Sequence, residues 1–249
     1  MDLSIIIAHY NPGNNPACVS SFRKTLQEIK NQRDQINIEV IICDDGSKDN
    51  EDILSYNPQI INRNGREIFD LSTSILDKWL KENNNDYSEI SHWLFLPKDK
   101  KCMSKARLWN AAIELSKSEK LFFLDDDNYF ISINSISTIL ELLDKYEVVF
   151  GQIQNKSGRF RNFDSYRVQG TTFGIKKSVI NYINGFGEWT EKTSCGIDSD
   201  LWLKLYNHFK NNNEFKVCYT NSIQTVDSCS KRWKPFINTF FRHRLLKKQ

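Results

Sequence analysis

Leu121-Phe122-Phe123-Leu124-Asp125-Asp126-Asp127-Asn128-Tyr129-Phe130 is the stretch that decides how the chain is read. Four apolar residues without a charge suit a strand covered on both faces, as in a parallel sheet. Three aspartates follow where such a strand leaves the carboxyl edge of the sheet, and that edge is where open α/β sheets hold ligands. Carboxylates this close together repel one another and call for a counter-ion. Hard divalent cations, Mg²⁺ or Mn²⁺, take oxygen ligands and keep room for phosphate oxygens. Alternate side chains of an extended segment point the same way, so Asp125 and Asp127 can face one ion together. A solvated acidic loop or a helix cap is the plain alternative, and the apolar run directly before the acids favours the metal.

Upstream stand two more apolar runs. Residues 3–8 read as a first buried strand, broken by the turn residues His9-Tyr10-Asn11-Pro12-Gly13. Pro16 opens a helical pattern to about Lys30, with Val19, Phe22, Leu26 and Ile29 on one face. Residues 39–43 form a second strand that also ends in carboxylates, Asp44-Asp45-Gly46-Ser47, and Ser47 is placed to cap a short helix over 48–55. A strand-helix-strand of this kind requires a right-handed parallel crossover. The patterning then predicts a strand near 59–62, a helix near 71–82, a short strand over 93–97 and a helix over 103–117 leading into Leu121. Downstream it predicts a helix over 134–146, a strand at 148–150, a loop over 159–167 and a strand within 168–175. Helices over 177–183 and 198–209 follow. The whole is an α/β chain.

At 249 residues, 39% hydrophobic and 26% charged, the composition is that of one large soluble enzyme domain. No apolar run approaches the roughly 20 residues that span a bilayer, and Met1 to Ile7 lacks the length and basic flank of a signal peptide. Six cysteines (18, 43, 102, 195, 218 and 229) make no CxxC pair, which points to structural thiols in a reducing, cytoplasmic setting. The net charge of +3 hides an asymmetry: residues 228–249 carry seven Lys or Arg and no acid, leaving 27 basic against 31 acidic residues in the body. Residues 228–249 therefore read as a basic tail on an acidic body of residues 1–227. Within it Phe236, Ile237, Phe240, Phe241 and Leu245 fall on one helical face. Residues 231–248 can lie on an anionic membrane surface, placing the protein at the inner face of the cell membrane. The alternative is that they pack on the body or on a second subunit. No nucleic-acid partner is expected.

Five blocks now stand in order: Ser4 to Asn11; Val40 to Ser47; Ala106-Arg107 with Asn110-Ala111-Ala112; Phe123 to Asp127, a DxD; and Asn184 to Glu188 followed by Gly196 to Leu203. Together they resemble the inverting GT-A glycosyltransferases of family 2 over roughly residues 3–210. The resemblance implies a GT-A fold, with a Rossmann-like, mostly parallel sheet flanked by helices and a C-terminal acceptor-side region. It also implies metal-dependent transfer of a sugar from a nucleotide-diphosphate donor, a UDP-sugar, to a hydroxyl of a glycan or lipid-linked saccharide, as in bacterial surface-polysaccharide synthesis. Ala8, Tyr10, Asp44 and Asp45 would surround the nucleoside, Tyr10 offering a flat face and Asp45 accepting the imide N–H. Lys105 and Arg107 would pair with diphosphate oxygens. Asp127 would be the most direct metal ligand, with Asp125 or Asp126 assisting directly or through water. Asp198 would be the base that activates the acceptor hydroxyl, while Glu188 and Trp189 would hold the acceptor ring.

Each residue has a plainer reading beside this one: a half-buried core tyrosine at Tyr10, turn capping by Asp44 and Asp45, surface helix charges at Lys105 and Arg107, a helix N-cap at Asp198. The chain departs from the family where Ile197 stands in place of the glutamate that usually precedes the base. It departs again at Val226-Asp227, where many relatives carry a histidine, and Asp227 is left as a candidate third ligand. A sugar-phosphate nucleotidyltransferase would favour a basic, Gly-rich phosphate loop, and residues 8–16 contain neither Lys nor Arg. A catalytically silent carbohydrate-binding protein would not need the acidic clusters intact.

Overall fold

A computed structural model describes residues 1–13, 15–32, 36–83, 87, 89–98, 102–163, 170–212 and 215–228. The N-terminal half contains β1 (Leu3–His9), α1 (Pro16–Lys30), β2 (Ile38–Asp44), a 3₁₀ segment (Lys48–Tyr56), β3 (Gln59–Arg63), β4 (Arg66–Ser72), α2 (Thr73–Glu82) and β5 (Ile90–Phe95). Then come α3 (Lys105–Leu115), β6 (Lys120–Asp125), β7 (Asn128–Phe130), α4 (Ser135–Lys145) and β8 (Val148–Gln154). The last elements are β9 (Phe173–Lys176), α5 (Lys177–Tyr182), α6 (Thr190–Thr193), α7 (Ile197–Asn211) and β10 (Val217–Asp227).

All the strands join one sheet in the order β3-β4-β5-β2-β1-β6-β9-β8-β10-β7. The central block β5-β2-β1-β6 is parallel, as the uninterrupted apolar runs require, since helices cover both faces of these strands. On one face Ile6, Ile41 and Phe123 pack with α3, α5 and α7; on the other Ile5, Ile7, Val40, Ile42 and Phe122 pack with α1, α2 and α4. The chain builds outward from β1 through β2 to β5 and then crosses back to β6 on the other side of β1. That reversal opens a crevice at the carboxyl ends of β1 and β6. Antiparallel strands close both flanks, β3-β4 against β5 and β9 between β6 and β8.

Several expectations change in detail. Val19 lies exposed on α1, and the buried positions are Cys18, Phe22, Thr25, Leu26 and Ile29; Thr25 is there because its hydroxyl donates to the Asp126 carbonyl at 2.9 Å. Ser47 precedes the 3₁₀ segment without capping it, because its Oγ accepts the Asn11 N–H at 2.8 Å. The helix expected over 103–117 begins at Lys105. Strand β4 occupies the region before α2, joined to β3 by Asn64 and Gly65, both at positive φ. That is the two-residue hairpin turn an Asn-Gly pair favours. Among the described residues five cysteines are free, and no helix is long and apolar enough to cross a membrane. The tail segment 231–248 lies outside the described residues, as do residues 164–169 of the expected loop and strand.

Candidate active site

The parallel register brings the acidic clusters together. Ala8 lies opposite Asp125 on β6 and His9 opposite Asp44 on β2. Backbone bonds extend the contact past the strand ends: Asp126 N donates to Ala8 O at 2.9 Å and Asp45 N to His9 O at 3.0 Å. Half-buried Ala8 and Tyr10 therefore stand between the two acidic turns.

Within each cluster the side chains part company. Asp44 is fully buried and accepts from Ser47 N (2.8 Å), Asn50 Nδ2 (2.7 Å) and Trp93 Nε1 (3.2 Å). Asp126 is likewise buried, its Oδ2 lying 2.6 Å from His9 Nδ1 and accepting from Tyr10 N at 3.3 Å. Asp44 was expected beside the nucleoside and Asp126 assisting at the metal and donor; instead both fasten the turns that carry their neighbours. The alternating exposure leaves Asp125 and Asp127 partly open on either side of buried Asp126.

Asp45 is different. Its Oδ2 takes an ion pair from Lys98 and the Ser104 N–H at 3.2 Å, while Oδ1 is buried without a hydrogen-bond partner. Burial, opposed by Lys98, pushes its carboxyl up to about 6. Tyr10 stands in the same field: desolvation raises its phenol, and Asp45 and Asp44 add to the rise. The Lys98 ammonium lies 4.4 Å from the centre of the Tyr10 ring.

Lys105 links the Asp125-Asp126-Asp127 turn to Asp198. Its Nζ donates to Asp125 Oδ1 at 2.5 Å and to Gly170 O at 2.9 Å, and it sits 4.1 Å from the Trp109 ring centre. Asp198 lies in the first turn of α7, two residues past the Gly196 cap, so it is not the N-cap. Its carboxylate rests against the Cα of Gly170, where a Cβ would overlap Oδ1. Solvent reaches the Asp198 side chain, yet so much protein surrounds the cleft that desolvation leads the upward push on its carboxyl. Lys105 opposes that push and Asp125 reinforces it. Gly170, Lys105, Asp125 and Asp198 thus form one contiguous patch at the crevice.

Other expected ligands are engaged elsewhere. Arg107 is buried and grips Glu191 Oε2 with Nε (3.0 Å) and Nη2 (2.7 Å), while Nη1 donates to Arg63 O at 2.5 Å. It therefore anchors the β3-β4 turn rather than facing Asp125. Glu188 accepts from Arg63 Nε, Asn110 Nδ2 (3.1 Å) and Asn64 Nδ2 (2.7 Å). Burial alone would raise its carboxyl, but these donors outweigh it and the net direction is down. Trp189 donates to Asp200 Oδ1 at 2.9 Å, which also accepts Gly187 N on Oδ2 at 2.7 Å. Glu188 and Trp189 shape the loop that leads to α7. Glu191 was missed in the sequence; it binds Ser104 Oγ at 2.7 Å and Arg66 as well as Arg107. Lys98 was also missed, and no spacing rule marks a lysine after Pro97.

Asp125 and Asp127 supply hard oxygen donors suited to Mg²⁺ or Mn²⁺, and no group of three His, Cys, Asp or Glu positioned for a metal occurs among the described residues. Two carboxylates fit an ion that completes its shell with water and donor oxygens. Asp227 pairs opposite Asn128 beside Asp127, with its carboxylate held by Arg161.

No family model and no curated protein sequence matches the chain. Solved structures do. S. aureus TarS superposes with TM-score 0.60 at 16% identity, over 93% of this chain and 37% of TarS. Its 1–349 portion in complex with UDP-GlcNAc gives 0.59 at 14%, over 91% of this chain and 58% of that one. The mannosyltransferase PcManGT from Pyrobaculum calidifontis, in complex with GDP-Man and Mn²⁺, gives 0.56 at 14%, over 99% and 60%. The chain has a GT-A-like glycosyltransferase fold. It spans about two-fifths to three-fifths of the length of these neighbours.

Proposed function

We propose that the chain is a metal-dependent, inverting glycosyltransferase that moves a sugar from a UDP-sugar to a hydroxyl of a glycan or lipid-linked saccharide. The observation that carries this reading is the patch where Asp125, Lys105, Gly170 and Asp198 meet at the β1-β6 crevice, with Asp45 and Tyr10 beside it. Asp125 and Asp127 would hold Mn²⁺ or Mg²⁺, which would supply Lewis-acid stabilisation of the departing diphosphate. Tyr10 presents a ring to the nucleobase, and the unpartnered Asp45 Oδ1 can accept a base N–H. Lys105, a cation already at the DxD, offers its ammonium to diphosphate oxygens.

Asp198 takes the acceptor hydroxyl proton as the new glycosidic bond forms and the bond to the diphosphate breaks. A raised carboxyl suits a base, because it holds the proton more readily than an ordinary aspartate. One displacement by one activated acceptor inverts the anomeric centre. The resemblance of the five sequence blocks and the bound UDP-GlcNAc and GDP-Man of the structural neighbours support a nucleotide-sugar donor. The donor sugar is a hexose or N-acetylhexosamine. The seven Lys and Arg of residues 228–249, with no acid among them, would bring the domain to the cytoplasmic face of an anionic membrane, where a lipid-linked acceptor of surface-polysaccharide synthesis would lie. Thermal shift against a panel of nucleotide sugars, with and without Mn²⁺, followed by nucleotide-release assays, tests the reaction. Metal-dependent stabilisation by UDP-sugars is the expected result, and indifference to every nucleotide sugar would sink it. Vesicle sedimentation tests the tail: salt-sensitive binding to anionic vesicles is expected.

A further inference from the structure

The nucleotide pocket contains a cation that the reaction itself does not use. Lys98 follows β5, where its backbone presses on the turn that carries Asp45. A Cβ on Gly46 would come within 2.5 Å of Lys98 N and 2.7 Å of Lys98 Cβ, and Gly46 has φ +72°. The turn thus accepts a glycine and admits the lysine. The ammonium is then set between two candidate nucleotide ligands, ion-paired to Asp45 Oδ2 and 4.4 Å from the Tyr10 ring centre. Ser104 N also occupies Oδ2, so both protein donors sit on the same oxygen. Oδ1 is left without one.

We propose that Lys98 is a specificity-determining residue: by capping Asp45 Oδ2 it leaves Oδ1 as the one open acceptor, so the pocket takes a nucleobase with a ring N–H, such as uracil, and refuses cytosine. Cytosine presents a lone pair at the ring position where uracil presents N–H, and two acceptors facing one another in a buried site are costly. The inference rests on the reading of Tyr10 and Asp45 as the base site. Oδ1 is shielded from water, so a base reaches it by displacing the side chains that border it. Among the described residues, the charged and titratable groups around the carboxylate are Lys98, Asp44 and Tyr10. Lys98 is the cation among them, and it keeps Asp45 ionised at neutral pH against the effect of burial.

The test is calorimetric binding of UDP, GDP and CDP with Mg²⁺ to the full chain at pH 6.0, 7.5 and 9.0, for wild type, Lys98→Met, Lys98→Arg and Asp45→Ala. An opposite charge this close moves a carboxyl by about 1–3 pH units, so Lys98→Met should weaken UDP on the order of tenfold at pH 7.5 relative to wild type. The ratio should close to about twofold at pH 9, where Asp45 ionises without help. Lys98→Arg should restore binding; CDP should bind weakly to wild type and Lys98→Arg and gain relative to UDP in Lys98→Met, where a protonated Asp45 can donate to the cytosine ring nitrogen, and an unchanged UDP-to-CDP ratio in Lys98→Met overturns the inference. Thermal midpoints establish that the variants fold, and Lys98→Gln replaces any that does not. Unchanged or tighter UDP binding in Lys98→Met overturns the inference, as does a loss that is the same at every pH. Asp45→Ala separates the two levels of argument: undiminished UDP binding there overturns the base-site reading itself.

Discussion

Replacing Asp45 by asparagine should stabilise the ligand-free protein while weakening its hold on nucleotide. The carboxyl is buried and is pushed up from the ordinary 3.8 to about 6, with desolvation the leading cause and Lys98 opposing it. A raised acid binds its proton more tightly in the folded chain than in the unfolded one. Its ionised form therefore costs stability as pH rises from about 3.8 to about 6, and the cost stays constant above that. The difference, at about 1.4 kcal/mol for each factor of ten, comes to about 3 kcal/mol as an upper bound. Asparagine keeps the shape and an acceptor oxygen for Lys98 but carries no charge to desolvate. Thermal unfolding at pH 7.5 should show the variant more stable by up to about 3 kcal/mol, or roughly 6–12 °C for a chain of this size. Near pH 4 the two proteins should converge, because wild-type Asp45 is already neutral there in the folded state. A variant less stable than wild type at pH 7.5, or an advantage that does not shrink on acidification, would refute the reasoning.

Asp127→Asn should keep the fold and lose metal-dependent turnover; unchanged activity with intact Mn²⁺ dependence would remove Asp127 from the metal site. Asp198→Asn should still bind UDP and metal but transfer sugar about 10²–10⁴-fold more slowly, and a normal rate in the folded fraction would return Asp198 to a structural role. Gly170→Ala should displace the Asp198 carboxylate and lower turnover without altering UDP affinity, which retained turnover would contradict. Arg107→Ala removes the bidentate partner of Glu191 but leaves Arg66 and Ser104 on it, and should cost about 1.5–3 kcal/mol of stability with UDP affinity retained. An intact midpoint with lost UDP affinity would instead place Arg107 on the diphosphate.

The sequence by itself determined the parallel centre of the sheet. Residues 5–8, 40–43 and 121–124 are apolar at every position, which suits strands covered on both faces, and each run is followed within a few residues by the polar turn of the crevice. Strands β4, β7 and β10 were not legible, because they are short or mostly half-exposed and owe their form to neighbours already in the sheet. The hairpin signal at Asn64-Gly65 was present and went unread. Period-two alternation set Asp125 and Asp127 apart from Asp126 in the sequence, but the choice between Asp44 and Asp45 was beyond it, because a difference of one position decides which side chain is satisfied within its own turn. Tertiary structure alone decided that Arg107 holds Glu191, 84 positions away, and that Lys98 holds Asp45, 53 positions away. Such partners meet only after the chain has crossed the sheet, so no local period or spacing encodes them.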